Sequence, residues 1–240
     1  MTTYLIFGAS RGLGDAFNTG LPEHGDTLWL VSRSKPRHLE NTTGIIRHWL
    51  SLDLSQPTQA AHQLSESLAG VALDVVIYNA GIWEGSAFDE SYDFAAISPA
   101  ETEAVLTVNL TSAIYGLQAL LPNLRRASQA KVILIGSISG VENAGFPEVA
   151  YVASKFGLRG VAHALREYFR SEAINVTCLN PGSFATDLPY EAGREAVLQR
   201  HAGALIPTHD IVALVKCLQS LSPATCVKEI DLPARSDADI

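Results

Sequence analysis

The chain has 240 residues, 47% of them hydrophobic and 18% charged, a balance that suits one packed domain and excludes a disordered protein. A formal net charge of −8 argues against a nucleic-acid groove or an anionic membrane surface as the main partner. Three cysteines, Cys178, Cys217 and Cys226, show no Cys-x-x-Cys spacing, so neither a disulfide framework nor a zinc knuckle is suggested and a reducing cytoplasm fits.

Met1 leads straight into an apolar run with no basic n-region or cleavage site, and no stretch reaches the roughly 20 apolar residues of a membrane helix. A secreted or membrane-spanning protein is therefore not expected. Short runs rich in branched residues then alternate with longer helix-like stretches, the pattern of parallel strands covered on both faces by crossover helices. Strands are expected over 3–7, 27–31, 45–50, 74–78, 132–135, 175–179 and near 229–232. Helices are expected over 12–21, 57–69, 99–121, 149–171, 194–201 and 208–221, with Pro22 stopping the first. The expected fold is a doubly wound α/β sheet of seven parallel strands in a single domain spanning 1–240. Segments 81–98 and 184–204 are the least periodic and follow strand ends, which makes them the expected walls of a substrate pocket. The tail 234–240 is polar enough to be mobile, or ordered only by a neighbouring subunit. Asn41-Thr42-Thr43, Asn109-Leu110-Thr111 and Asn175-Val176-Thr177 match a glycosylation pattern that is incidental without an export signal.

Gly8-Ala9-Ser10-Arg11-Gly12-Leu13-Gly14 joins the first strand to the first helix, where a Gly-rich turn lets backbone N–H groups approach a pyrophosphate. The spacing Gly-x-x-x-Gly-x-Gly departs from both the Gly-x-Gly-x-x-Gly fingerprint and the P-loop. Further on, Tyr151 and Lys155 stand four apart on an expected helix, so an ammonium faces a phenol. A nearby cation favours phenolate and should lower the Tyr pKa toward neutrality, where it can exchange a proton with a substrate oxygen.

Taken in order, Gly8/Gly12/Gly14, Asn79-Ala80-Gly81, Asn109, Ser137, Tyr151-x-x-x-Lys155 and Asn180-Pro181-Gly182 resemble the short-chain dehydrogenase/reductase family in its compact single-domain form. The resemblance covers nearly the whole chain and implies a Rossmann-type fold and direct hydride transfer between a nicotinamide and a carbonyl or alcohol carbon. It implies that Ser137 hydrogen-bonds the substrate oxygen, with Ser139 as fallback. Tyr151 then moves the proton, Lys155 binds nicotinamide ribose hydroxyls and lowers the Tyr pKa, and Asn109 completes a tetrad through a water. Ser137 lies 14 residues before Tyr151, one more than the family's spacing.

The resemblance also implies cofactor contacts from Gly8, Ser10, Arg11, Gly12, Leu13 and Gly14, from Asp53 and Leu54 at the adenine, and from Asn79, Ala80 and Gly81. Pro181 and Gly182 would flank the nicotinamide, and Thr186 would bind its carboxamide or a phosphate. Ser32 stands where NAD-preferring members carry an acid, and Arg33 follows it. Arg33 and Arg11 together favour NADP(H) over NAD(H), because a 2′-phosphate needs positive charge. Trp83, Phe146, Phe184 and Tyr190 are the expected specificity residues. No metal is expected, since the histidines show no ligand spacing.

The reading is therefore an NADP(H)-dependent ketone or aldehyde reductase, cytoplasmic, acting on a small carbonyl or alcohol compound, and a homodimer or homotetramer by family habit. Two rivals remain. A non-catalytic NADP(H)-binding redox sensor would be free to lose Tyr or Lys. A hydrolase could use Ser137, Asp187 and His209, although Gly136-Ser137-Ile138-Ser139-Gly140 lacks the Gly-x-Ser-x-Gly elbow.

Overall fold

The computed structural model describes residues 1–41, 44–142 and 145–237. Thr42 and Thr43 of the first glycosylation match, and residues 238–240 of the tail, lie outside the described residues. The strands are β1 (Thr3–Phe7), β2 (Thr27–Ser32), β3 (Ile46–Ser51), β4 (Val75–Tyr78), β5 (Ala130–Ile135) and β6 (Ile174–Pro181). Two short strands, β7 (Phe184–Ala185) and β8 (Ile206–Pro207), pair only with each other, and β9 (Glu229–Leu232) follows. Seven of them form one parallel sheet in the order β3-β2-β1-β4-β5-β6-β9.

The helices are α1 (Gly12–Gly20), α2 (Pro57–Ser67), α3 (Pro99–Leu106), α4 (Ser112–Ala119), α5 (Leu121–Leu124), α6 (Val149–Tyr168), α7 (Arg194–Arg200) and α8 (Thr208–Ser220). Strand side chains alternate between faces, so each central strand feeds two cores. Leu5, Phe7, Val76, Tyr78, Val132 and Leu134 pack with Leu64 of α2, Leu117 of α4 and Leu158 of α6. Tyr4, Ile6, Val75, Ile77, Ile133 and Ile135 pack on the other side with Phe17 of α1 and Ile211 and Val215 of α8. Both faces being covered is why these strands read as unbroken apolar runs, whereas edge strand β3 carries Arg47 and His48.

Two expectations are corrected. The stretch 99–121 is not one helix: α3 passes through a π-helical turn at Thr107–Thr111 into α4, and Pro122 opens the separate α5. The turn holds Asn109, whose side chain is spent on backbone groups described below. Nor is the tail loose throughout. Ala234 is buried, and the Asp237 carboxylate accepts from the N–H groups of Ser183 and Ala234, so the chain itself orders 234–237.

Lys131, on fully buried β5, donates to the carbonyls of Leu218, Gln219 and Leu221 at 2.5–3.0 Å, satisfying the C-terminal end of α8 with a cation. Lys131→Met keeps the length and removes the donors. It is expected to cost about 2–4 kcal/mol, lowering Tm by roughly 5–10 °C, measured by thermal unfolding.

Candidate active site

The strand order reverses between β1 and β4, and the carboxyl ends of these strands form the crevice in which doubly wound sheets place ligands. The Gly-rich turn lies there. Gly8 and Gly12 have φ of +74° and +57°, and a Cβ on Gly14 would stand 2.0 Å from the Gly8 carbonyl oxygen. Only glycine lets the turn approach so closely. The Arg11 side chain does not cap α1, and a helix leaves its first N–H groups without intrahelical acceptors. Leu13 sits in the core and can contribute only backbone to a ligand. Ser10 is half-buried, and Arg11 is exposed beside the turn.

The Asn79 side chain donates to the Gly8 carbonyl at 3.3 Å, and Ala80 packs against Gly8, so this segment braces the turn. Gly81 leaves room for Asn109 Oδ1 and Lys155 Nζ, each 3.7 Å from where a Cβ would be. Asn109 is 1% exposed; its Oδ1 accepts from Ile82 N–H, and its Nδ2 donates to Ile82 C=O and to Ser154 Oγ, all at 2.8–2.9 Å. The carboxamide thus ties the β4 loop to α6.

Tyr151 and Lys155 lie on the first turns of α6, and Ser137 follows β5. Ser137 stands beside the Tyr151 phenol and acts to lower its pKa, so the extra residue between them is absorbed by the loop. Ser139 is buried behind, its Oγ accepting from Ser137 at 3.2 Å. Lys155 Nζ donates to the Ile135 carbonyl at 3.0 Å and stands 5.5 Å from the Tyr151 ring centroid. Gly140 makes this possible, because a Cβ there would come within 2.8 Å of the Lys155 backbone.

The expected lowering of the Tyr151 pKa is not what this geometry produces. Burial raises it, the Ser137 hydrogen bond opposes the rise, and the charges of Glu148 and Glu84 add to it. Burial pushes Lys155 down to about 8.

Arg11 and Arg33 are exposed and form no ion pair among the described residues, while Ser32 Oγ is occupied by the Ser34 carbonyl at 2.7 Å. The exposed Asp53 closes its own turn onto Ser55 N–H, and Leu54 is buried in the first core. Thr186 reaches the Gly-rich turn from the opposite side, with Cγ2 3.3 Å from a Cβ built on Gly12. Pro181 and Gly182 end β6 against the tail, Gly182 N–H donating to Leu232 C=O at 2.8 Å. A glycine cradle, uncapped helix N–H groups and two unpaired guanidinium groups at one crevice suit a phosphorylated dinucleotide.

Of the expected specificity aromatics, Trp83 meets the Tyr151 ring edge to face at 6.5 Å, and Phe146 meets Phe88 at 6.4 Å. Tyr190 lies elsewhere, stacked on His209 and against Gly20, and Phe184 packs on the second core. Sequence reading missed Phe88, whose ring is 5.5 Å from that of Tyr151, and two buried carboxylates, Glu84 and Glu148. Glu84 Oε1 accepts from the N–H groups of Ala150 and Tyr151 at 2.8 and 3.3 Å, capping α6 from a distant loop. Glu148 Oε1 accepts from Phe88 N–H at 2.8 Å. Nothing in the sequence near Glu84 or Glu148 marks either of them.

The hydrolase arrangement does not form. Asp187 pairs with Arg200 and His201, and His209 Nε2 meets the Tyr190 carbonyl, so neither joins Ser137.

Comparison with known proteins agrees with the geometry. The family model for short chain dehydrogenase matches residues 2–196. The rhamnolipids biosynthesis 3-oxoacyl-[acyl-carrier-protein] reductase of Pseudomonas aeruginosa is 30% identical over 213 residues, covering 85% of this chain and 80% of that protein. The 3-oxoacyl-[acyl-carrier-protein] reductase FabG of Aggregatibacter actinomycetemcomitans is 31% identical over 195 residues, 78% of this chain and 77% of its own. Among solved structures, the Pseudomonas aeruginosa RhlG/NADP active-site complex superposes with a TM-score of 0.78 at 27% identity, covering 98% of this chain and 95% of that one. Motifs, sheet order and family match converge: this chain belongs to the short-chain dehydrogenase family of oxidoreductases.

Proposed function

We propose that the protein is an NADP(H)-dependent reductase of ketones or aldehydes, working in the cytoplasm as a homodimer or homotetramer, with all 240 residues in one catalytic domain. The observation that carries this reading is Ser137 beside the half-buried Tyr151 phenol, one helical turn from Lys155.

The bound nicotinamide would supply the hydride to the substrate carbon. The turn from Gly8 to Gly14 would hold the pyrophosphate, with Asn79, Ala80 and Gly81 behind it. Asp53 and Leu54 would meet the adenine, Pro181, Gly182 and Thr186 the nicotinamide side, and Arg11 and Arg33 a ribose 2′-phosphate. Ser137 donates a hydrogen bond to the carbonyl oxygen and so orients it toward Tyr151. Tyr151, whose phenol burial favours in its protonated form, gives its proton to the forming alkoxide. Lys155 binds ribose hydroxyls, and Asn109 keeps the Ile82 segment and α6 in register beneath it. No helix is long and apolar enough to cross a membrane. The relatives named as 3-oxoacyl-[acyl-carrier-protein] reductases make a ketone β to a thioester carbonyl one candidate substrate.

Fluorescence titration with NADPH and NADH, followed by absorbance assays on ketones and aldehydes, tests this reading. Tighter NADPH binding with turnover is expected, and binding without turnover across the panel would instead favour a redox-sensing protein. Arg33→Ala is expected to weaken NADPH binding about 10- to 100-fold, with NADH binding changed by less than about twofold. An unchanged NADPH preference would move the phosphate site elsewhere.

A further inference from the structure

The mouth of the site combines exposed aromatic rings with acidic charge. Trp83 and Phe88 are 56% and 53% exposed although both touch the Tyr151 ring, and the two also meet each other edge to face at 5.7 Å. Phe88 has a φ of 65°, a costly conformation for a bulky side chain. It is held there by the Glu148 carboxylate, itself 2% exposed. A buried carboxylate that pins a strained residue so that its ring stays in solvent beside the proton-donating phenol gains nothing for the core. It builds a surface for something planar.

Charge defines what else that molecule carries. Segment 81–98 holds Glu84, Asp89, Glu90 and Asp93 and no basic residue, and no lysine or arginine occurs between Arg47 and Arg125. Asp89, Glu90 and Asp93 are exposed, as is Glu142 on the loop before α6. In segment 184–204, Arg194 is paired with Asp210 and Arg200 with Asp187. The 81–98 wall therefore offers no cation to a phosphorylated carrier, and its exposed carboxylates repel one.

Resting on the reductase reading above, we infer that the substrate is an uncharged carbonyl compound bearing an aromatic ring, seated against Trp83 and Phe88 beside Tyr151, and not an acyl group on a polyanionic carrier. The reaction is the reduction of its C=O: hydride from NADPH forms the C–H bond, the Tyr151 proton completes the hydroxyl, and NADP⁺ leaves.

The test compares kcat/KM of the full-length protein for benzylacetone, for methyl octyl ketone with the same number of carbons, and for acetoacetyl-CoA. Benzylacetone is expected to exceed each of the others by at least about tenfold, with only the acetoacetyl-CoA value rising with added salt as repulsion is screened. Phe88→Ala is expected to shrink the benzylacetone advantage over methyl octyl ketone by about tenfold, with NADPH titration reporting that the variant is folded. Equal or better turnover of acetoacetyl-CoA or of the alkyl ketone would overturn the inference and leave the reductase reading intact. NADPH binding with no turnover of any carbonyl would overturn both.

Discussion

Tyr151→Phe is expected to lower kcat by about 10²- to 10⁴-fold, the range over which a positioned acid or base contributes. The phenol hydroxyl stands beside Ser137 and is the one acidic O–H at the meeting point of Ser137, Tyr151 and Lys155. Phenylalanine keeps the ring and therefore its edge contacts with Trp83 and Phe88, so the loss is confined to the proton donor. NADPH affinity should change by less than about threefold and folding stability by less than about 1 kcal/mol, because the variant removes one hydroxyl and no apolar volume. Steady-state assays beside cofactor titration separate the effects. A rate within about tenfold of the parent would assign the proton to another group.

Gly14→Ala is expected to have the second largest effect, on cofactor binding. The added methyl would lie 2.0 Å from the Gly8 carbonyl oxygen and 3.0 Å from the Ala9 Cα, and both are backbone atoms that cannot rotate away. Either the turn opens or α1 shifts off the sheet. NADPH affinity should fall by at least about 100-fold, and stability by about 2–4 kcal/mol, as for other strained insertions into packed backbone. Gly160→Ala in α6 is the matched control. That position is exposed with nothing within 4 Å of its Cβ, and alanine there should stabilise the helix by about 0.5–1 kcal/mol. If the two variants bind NADPH equally well, the Gly-rich turn is not the cofactor cradle.

The uneven legibility of the site has a physical origin. Tyr151 and Lys155 could be read because helical spacing is local, and the Gly-rich turn because its conformation demands glycine in a fixed context. The break at Asn109 could not be read. Thr107–Thr111 is poor in helix formers, which marks a weak helix but not a π-turn; that turn is held where the Asn109 carboxamide meets the Ile82 backbone, 27 residues away in the chain. Glu84 is equally silent in sequence, since its partners are the N–H groups of Ala150 and Tyr151 on another element. Tyr190 failed as a pocket residue for the converse reason. Its segment folds back against Gly20 of α1, and its ring stacks on His209 of α8.

The protonation states diverge in the same way. Spacing places a cation four residues from a phenol, and Coulomb attraction alone would lower the Tyr pKa. Burial and the unforeseen carboxylates of Glu148 and Glu84 reverse the direction, because desolvation depends on everything packed around the group.

By itself, then, the sequence determined the seven parallel strands, the switch-point turn and the Ser, Tyr and Lys of the site, since hydrophobic period, glycine requirement and residue type are local properties. Only the tertiary structure decided where the Asn109 carboxamide is spent, which carboxylates surround Tyr151, and that Trp83 and Phe88 stand over it. Those depend on contacts between distant segments, and no local pattern encodes which side chains the fold will bring together.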